Sequence, residues 1–221
     1  MNSKEQKGDL YQETNGGLIN NNQPQGCNAT DAWDAKGARM SFFRHPITNK
    51  RPEAMPVSLF EVYQMVRTNR YRLETEGLRQ MEGHEAQRMF KGQHLDYVTP
   101  SGVFSYCSDQ SLVRHSGILC MDLDDLGERV GKLKQRLIDD ACFSTLLLFT
   151  SPRGNGLKWF IPIDLTRCDH KTWFTAVRNY LMATYGLTDK QVDKQCQNPS
   201  RACYLSHDPE AYLRTDLIEF F

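Results

Sequence analysis

Apolar residues first fall into a helical rhythm in "VSLFEVYQMVRTN", where Leu59, Val62, Tyr63 and Val66 share one face. Ser58, just ahead of them, is placed to cap that helix. The next stretch, "ETEGLRQMEGHEAQRMFKGQ", carries fewer apolar positions and predicts a second, more polar helix. "HLDYVTPSGVFSYC" predicts two short strands around a Thr-Pro-Ser-Gly turn. Upstream, "SFFRHPITNKRPEAMP" is an extended, proline-bearing entry. Residues 1 to about 36 are rich in Asn, Gln and Gly and show no period. They predict a disordered tail ahead of one domain over about 37–221.

From "SGILCMDLD" onward, strand and helix patterns alternate. "SGILCMDLD", "FSTLLLFTS", "LKWFIPI" and "RACYLS" predict strands, although Pro162 removes one ladder donor. "DLGERVGKLKQRLIDD" predicts a helix with Leu126, Val130, Leu133 and Leu137 on one face. "DHKTWFTAVRNYLMATYG" predicts another, with Trp173, Val177, Tyr180 and Leu181 along its stripe. The order is βαββαβ, the split βαβ arrangement of RNA-recognition-like folds. The expected fold class is therefore α+β, an RNA-recognition-like sheet module with an N-terminal α/β extension. In that arrangement the first and third strands are central, and the first and second run parallel. Asp122 and Asp124, the "SPRGNG" turn with Lys158, and the loop holding Asp193 and Arg201 then meet at one end of the sheet. Strand alternation puts Asp122 and Asp124 on one face and Leu119, Met121 and Leu123 on the other. Helices should cover the apolar face, leaving the acids and Lys158 on an open one.

Composition narrows the picture. A hydrophobic content of 39% in 221 residues supplies a sizeable core. The 27 basic and 27 acidic residues cancel, which excludes nucleic-acid binding through bulk positive charge and leaves local basic patches. Seven cysteines without a CxxC pair suit a reducing compartment. No apolar signal core opens the chain, and its longest apolar run, "STLLLF", is far short of a bilayer span. A cytoplasmic protein with no membrane partner is expected.

Three groups of polar residues carry candidate chemistry. An i, i+2 carboxylate pair such as Asp122 and Asp124 presents oxygens to Mg²⁺ or Mn²⁺. Asp124 serves equally as a helix-entry residue, and Asp125 with Glu128 has the spacing of a capping box. "SPRGNGLK" reads either as a hairpin turn or as a nest of backbone N–H groups for a phosphate, with Arg153 and Lys158 adding charge. In "VDKQCQNPSRACYLSHDP", Asp193 is a cap or a third carboxylate, and Arg201 an ion-pair or phosphate partner. Cys168, His170, Cys196, Cys203 and His207 imitate a zinc set but lack a CxxC half.

Taken together, "CMDLDDL", "SPRGNGLKWFIPI" and "VDKQCQNPSRACYLSHDP" resemble the three motifs of the archaeo-eukaryotic primase (primase-polymerase) superfamily. They are most similar to the VirE N-terminal domain group of bacterial mobile elements, often fused to helicase-type ATPase regions. "MPVSLFEVYQMVRTNRY" and "VTPSGVFSYCSDQSLVRHSGIL" resemble the same group, so the likeness spans about residues 40 to 213. The resemblance implies a primase-polymerase catalytic fold with catalytic, metal-binding acids at Asp122, Asp124 and Asp193. It implies nucleotide contacts at Ser151, Arg153, Gly154, Gly156, Lys158 and Arg201. Lys158 stands where most of the superfamily has a phosphate-contacting histidine. The implied activity is a metal-dependent nucleotidyltransferase, a DNA primase or polymerase using Mg²⁺ or Mn²⁺. Its implied partners are nucleoside triphosphates, a single-stranded nucleic acid template and a helicase-type ATPase, in replication of a mobile element. Two other readings stay open: a non-catalytic nucleic-acid-binding module using Arg-rich segments such as "RTNRYR", and a metal-dependent nuclease.

Overall fold

Ser58 caps the first helix as its position predicts. Its hydroxyl accepts from the Glu61 amide at 3.1 Å, while the Glu61 carboxylate accepts from the Ser58 amide at 2.7 Å, the reciprocal pair of a capping box. The computed structural model describes residues 38–214 and 216, and the tail predicted over the first 36 or so residues lies outside them. The chain begins with β1 (Arg39–Phe43), β2 (Val57–Ser58) and α1 (Leu59–Arg67). Leu59, Val62, Tyr63 and Val66 are the buried residues of α1, the face its spacing predicts. The single polar helix expected next is two, α2 (Arg72–Gln80) and α3 (His84–His94). Met81 is extended and Gly83 has φ of 87°, a left-handed conformation that glycine adopts without steric cost.

There follow β3 (Tyr97–Thr99), β4 (Gly102–Phe104), β5 (Leu112–His115) and β6 (Ile118–Leu123). Then come α4 (Arg129–Ile138), β7 (Leu147–Thr150), β8 (Leu157–Pro162) and α5 (His170–Tyr185). Two short strands close the described chain, β9 (Cys203–Tyr204) and β10 (Tyr212–Leu213). The strands form antiparallel sheets in the orders β2-β1-β3-β9 and β10-β7-β8-β6, with β4 and β5 as a separate hairpin. Helices with antiparallel sheets make the protein α+β. No helix among the described residues is long and apolar enough to cross a membrane.

The arrangement of the second sheet differs from the expected one. Its third strand, β8, is central as predicted, but β6 lies at the margin rather than the centre. The strand after α5 does not return to this sheet: β9 pairs with β3, and β10 takes a place beside β7 instead. A two-residue strand carries too little alternation to announce its partner. The predicted convergence survives, because β6 and β7 are both antiparallel to β8 and so point the same way.

Alternation along β6 then distributes its side chains as predicted. Leu119, Met121 and Leu123 pack with Leu133 and Leu137 of α4 and with Trp173, Val177 and Leu181 of α5. The opposite face is not open. Ile118 and Cys120 pack with Met40 and Phe42 of β1, Val98 of β3 and Cys203 of β9, so the first sheet covers the face on which Asp122 and Lys158 lie. Each large apolar side chain so buried contributes roughly 1.5–3 kcal/mol.

Candidate functional site

Register sets the centre of the site. Asp122 on β6 lies directly opposite Lys158 on β8, a cross-strand pair of opposite charge. With the second layer above them, Asp122 is 7% exposed and Lys158 4%. The Lys158 ammonium donates to Oδ2 of Asp122. Burial opposes the lysine's charge, but the Asp122 carboxylate outweighs it and holds the lysine pKa above its ordinary value. Oδ1 of Asp122 is buried with no hydrogen-bond partner among the described residues.

Beyond the strand end, residues 191–193 run antiparallel to β6 through a bridge between Leu123 and Val192. The Asp193 amide donates to the Asp122 carbonyl at 3.0 Å, and the Asp124 amide to the Gln191 carbonyl at 2.8 Å. The third acid is thereby fixed beside the first two through the main chain. Its side chain caps, one of its two sequence readings: Oδ1 accepts from the Gln195 amide at 2.9 Å, while Oδ2 accepts from Arg201 at 2.5 Å. Asp124 accepts from Arg153 at 3.3 Å. Burial, and then the neighbouring Asp122 charge, push its carboxyl pKa up. Each candidate acid thus has a basic partner from a different segment.

The "SPRGNG" connection is a closed turn. The Ser151 amide donates to the Gly156 carbonyl at 2.9 Å and the Gly154 amide to the Ser151 carbonyl at 2.9 Å, so two of its N–H groups are used internally. Gly154 has φ of 79°. Gly156 is required for another reason, since a Cβ there would collide with the carbonyl oxygen of Leu123. Arg79 of α2 fastens the turn, donating to the Pro152 carbonyl at 3.2 Å and the Ser151 carbonyl at 3.4 Å. Arg153 remains half-buried at its rim, 2.9 Å from Nδ1 of His84.

Two expectations need correction. Lys158 is buried and ion-paired rather than on an open face, because the first sheet covers it. Asp125 does not cap α4: that helix starts at Arg129, its N-terminal cap residue Glu128 makes no side-chain cap bond, and Asp125 sits at φ of 51°. Sequence reasoning also passed over Lys91 of α3. Its ammonium lies 5.0 Å from the centre of the Tyr204 ring. Burial, reinforced by the charge of Lys158, lowers its pKa to about 8. The available signal was the spacing of His84, Arg88 and Lys91, which share one helical face.

Two spaces adjoin the acids. One, of about 10 Å³, is lined by Asp122, Lys158, Cys120, Cys196, Arg201 and Cys203 among others, and holds at most about one water-sized occupant. The other is an open cleft of about 310 Å³ that Asp124 and Asp193 line together, with Lys190 and Lys194. Among the described residues, no three His, Cys, Asp or Glu side chains gather into a metal-ligating group. Of the zinc-like set, Cys196 and Cys203 line the small space together, His170 bonds the Cys196 carbonyl at 3.0 Å, and His207 is hydrogen-bonded to the Thr68 carbonyl at 3.0 Å. For a divalent cation the fit is partial. The unpartnered Oδ1 of Asp122 suits one, whereas Asp124 and Asp193 would first have to release Arg153 and Arg201.

The family model described as the BT4734-like, N-terminal domain matches residues 89–213, which is more than half of the chain. The chain belongs to that family. The matched span includes Lys91, the three acids and their three basic partners, and it runs from within α3 through β10. No curated protein and no solved structure matches the chain.

Proposed function

We propose that this member of the BT4734-like N-terminal domain family is a primase-polymerase-like nucleotidyltransferase. It would join nucleoside triphosphates on a single-stranded template, in the cytoplasm, during replication of a mobile element and alongside a helicase-type ATPase. The observation that carries the reading is the shared cleft. Asp124 and Asp193, distant in sequence, line one 310 Å³ space beside Arg153 and Arg201, and Asp122 stands next to them with an oxygen unsatisfied. In the reaction a primer 3′-hydroxyl oxygen bonds to the α-phosphorus, pyrophosphate leaves, and the hydroxyl proton passes to solvent. A bound Mg²⁺ or Mn²⁺ would supply charge neutralisation and an activated hydroxyl. Arg153 and Arg201 are placed to take phosphate oxygens, which frees the carboxylates they hold at rest. Lys158 pairs with Asp122 and orients its carboxylate.

A second reading is favoured by a different observation. Every candidate acid is already neutralised by a base, so the arrangement is complete without a cation, as in a non-catalytic nucleic-acid-binding module. Primer extension and de novo priming with Mg²⁺ or Mn²⁺ separate the two. Asp124→Asn is the control, since Asp124 is half-buried and its loss leaves no buried lysine unpaired. Metal-dependent extension that the variant lacks supports the transferase. Degradation of the labelled primer points to the nuclease. Oligonucleotide binding with neither product, and no metal-dependent rise in Tm, leaves the binding module.

A further inference from the structure

The acids lie at one side of a basic surface that the proposed reaction does not use. His84, Arg88 and Lys91 recur at i, i+4 and i+7 on α3, so they line one face over about 10 Å of helix. One end of this row touches the site, because Nδ1 of His84 is 2.9 Å from Arg153. The other end reaches β9, where the Lys91 ammonium lies over the Tyr204 ring. Arg88 is exposed and is presented in a fixed pose by a fork to Glu85, at 2.9 and 2.7 Å. So exposed a pair contributes little to folding.

Lys91 is the informative member. It forms no ion pair among the described residues, and it stands half-buried in the combined field of the Lys158 and Arg153 cations and the Asp122 and Asp124 carboxylates. A half-buried lysine that no carboxylate pairs directly keeps its ammonium available to a ligand. The position of α3 is also built rather than incidental. Gly92 brings the helix against the loop before β2: its carbonyl accepts from the Ile47 amide at 2.6 Å. A Cβ at Gly92 would stand 3.2 Å from Ile47 Cγ2 and 3.7 Å from the Tyr204 hydroxyl.

We infer that the α3 row, His84, Arg88 and Lys91, together with Tyr204, is the track along which a single nucleic acid strand lies on its way to the acids. Positive charge at Arg88 and Lys91 follows a phosphate backbone, His84, whose Nδ1 accepts from Arg153, extends the row as a polar ring, and the Tyr204 ring beside it offers a face to a base without reading its identity. About 10 Å of helix spans about three phosphates at the duplex rise of 3.4 Å per nucleotide. A row of this kind, exposed at His84 and Arg88 and half-buried at Lys91, suits a flexible single strand, and it names the surface for the template in the function proposed above, on which it rests for its substrate class.

The test uses the full chain and a short fluorescein-labelled single-stranded oligonucleotide of mixed sequence, followed by anisotropy between about 50 and 200 mM salt, with neither triphosphate nor divalent metal present. The double variant Arg88→Ala/Lys91→Ala is expected to bind at least about tenfold more weakly and to lower the salt slope by about two. Tyr204→Ala should weaken binding while Tyr204→Phe retains it. Arg88→Glu, at an exposed position, repeats the loss in a variant whose fold is not at risk. Wild-type affinity and slope in the double variant overturn the track, as does a wild-type protein that binds an acidic peptide but no oligonucleotide. Because no reaction is assayed, an inactive enzyme that still binds through this row fails only the transferase reading. An active one that ignores these substitutions fails only the track.

Discussion

Lys158 and Asp122 are coupled so tightly that neither can be changed alone. A buried ion pair broken from one side leaves an uncompensated charge, at a cost of about 3–5 kcal/mol. Lys158→Ala is therefore expected to destabilise the protein by about that amount in urea denaturation. The double replacement Asp122→Leu/Lys158→Met should recover most of the loss, since two apolar groups need no partner. The sequence supplied the two residues and, through strand alternation, their shared face. It did not supply their burial, because the layer that covers them comes from β1, β3 and β9, and contacts between distant segments leave no local periodicity. Lys91 was legible only as one of a row at helical spacing with His84 and Arg88: it lies in a polar helix, and packing against Tyr204 is what makes it different from an exposed lysine.

At the scale of elements, most local signals held, and among the partner choices the central place of β8 between β6 and β7 held while that of the strand after α5 did not. The Ser58 cap and the apolar face of α1 follow from four residues of local chemistry and appear as predicted. The break between α2 and α3 turns on Gly83, one glycine in a helical pattern that periodicity alone reads through. The connection from β6 to α4 and the turn between β7 and β8 meet where Gly156 approaches Leu123, and where the Gly127 amide donates to Asn155 at 2.6 Å. Gly156→Ala is expected to cost roughly 1–3 kcal/mol by overpacking against backbone and to displace the acids with the strand end. Asp125→Gly should be neutral or stabilising, because Asp125 caps nothing and its φ of 51° suits glycine better. Thermal melting of both variants checks the contrast, and a loss of about 1 kcal/mol in Asp125→Gly would restore it as a cap.

Across the whole molecule, a line of hydrogen bonds ties the β4–β5 hairpin to α5 and to the loop carrying Asp193. The Gly117 amide donates to Nδ1 of His115 at 3.0 Å, so the other nitrogen, Nε2, carries the proton and faces Nδ1 of His170 at 3.2 Å. His170 then donates from Nε2 to the Cys196 carbonyl at 3.0 Å. Both rings are neutral in this line. Burial, aided by His170, lowers the His115 pKa to about 4, and burial lowers that of His170. The unfolded chain therefore binds more protons than the native one between about pH 6.5 and 4, and stability falls as pH drops through that window. His115→Gln should flatten the fall, measured as Tm against pH, while lowering Tm near neutrality.

The short antiparallel run of residues 191–193 along β6 has a consequence beyond positioning an acid. A marginal strand with free N–H and C=O groups invites pairing with another chain, and this run occupies the Asp122 carbonyl at the end of β6 and the Asp124 amide just beyond it. The segment that delivers Asp193 is thus also a guard against self-association, so whatever draws the loop away uncovers an adhesive ladder. Asp193→Pro removes the amide that bonds the Asp122 carbonyl, and light scattering should show concentration-dependent association above that of wild type. Asp193→Ala keeps the amide while losing the carboxylate, and it should scatter like wild type.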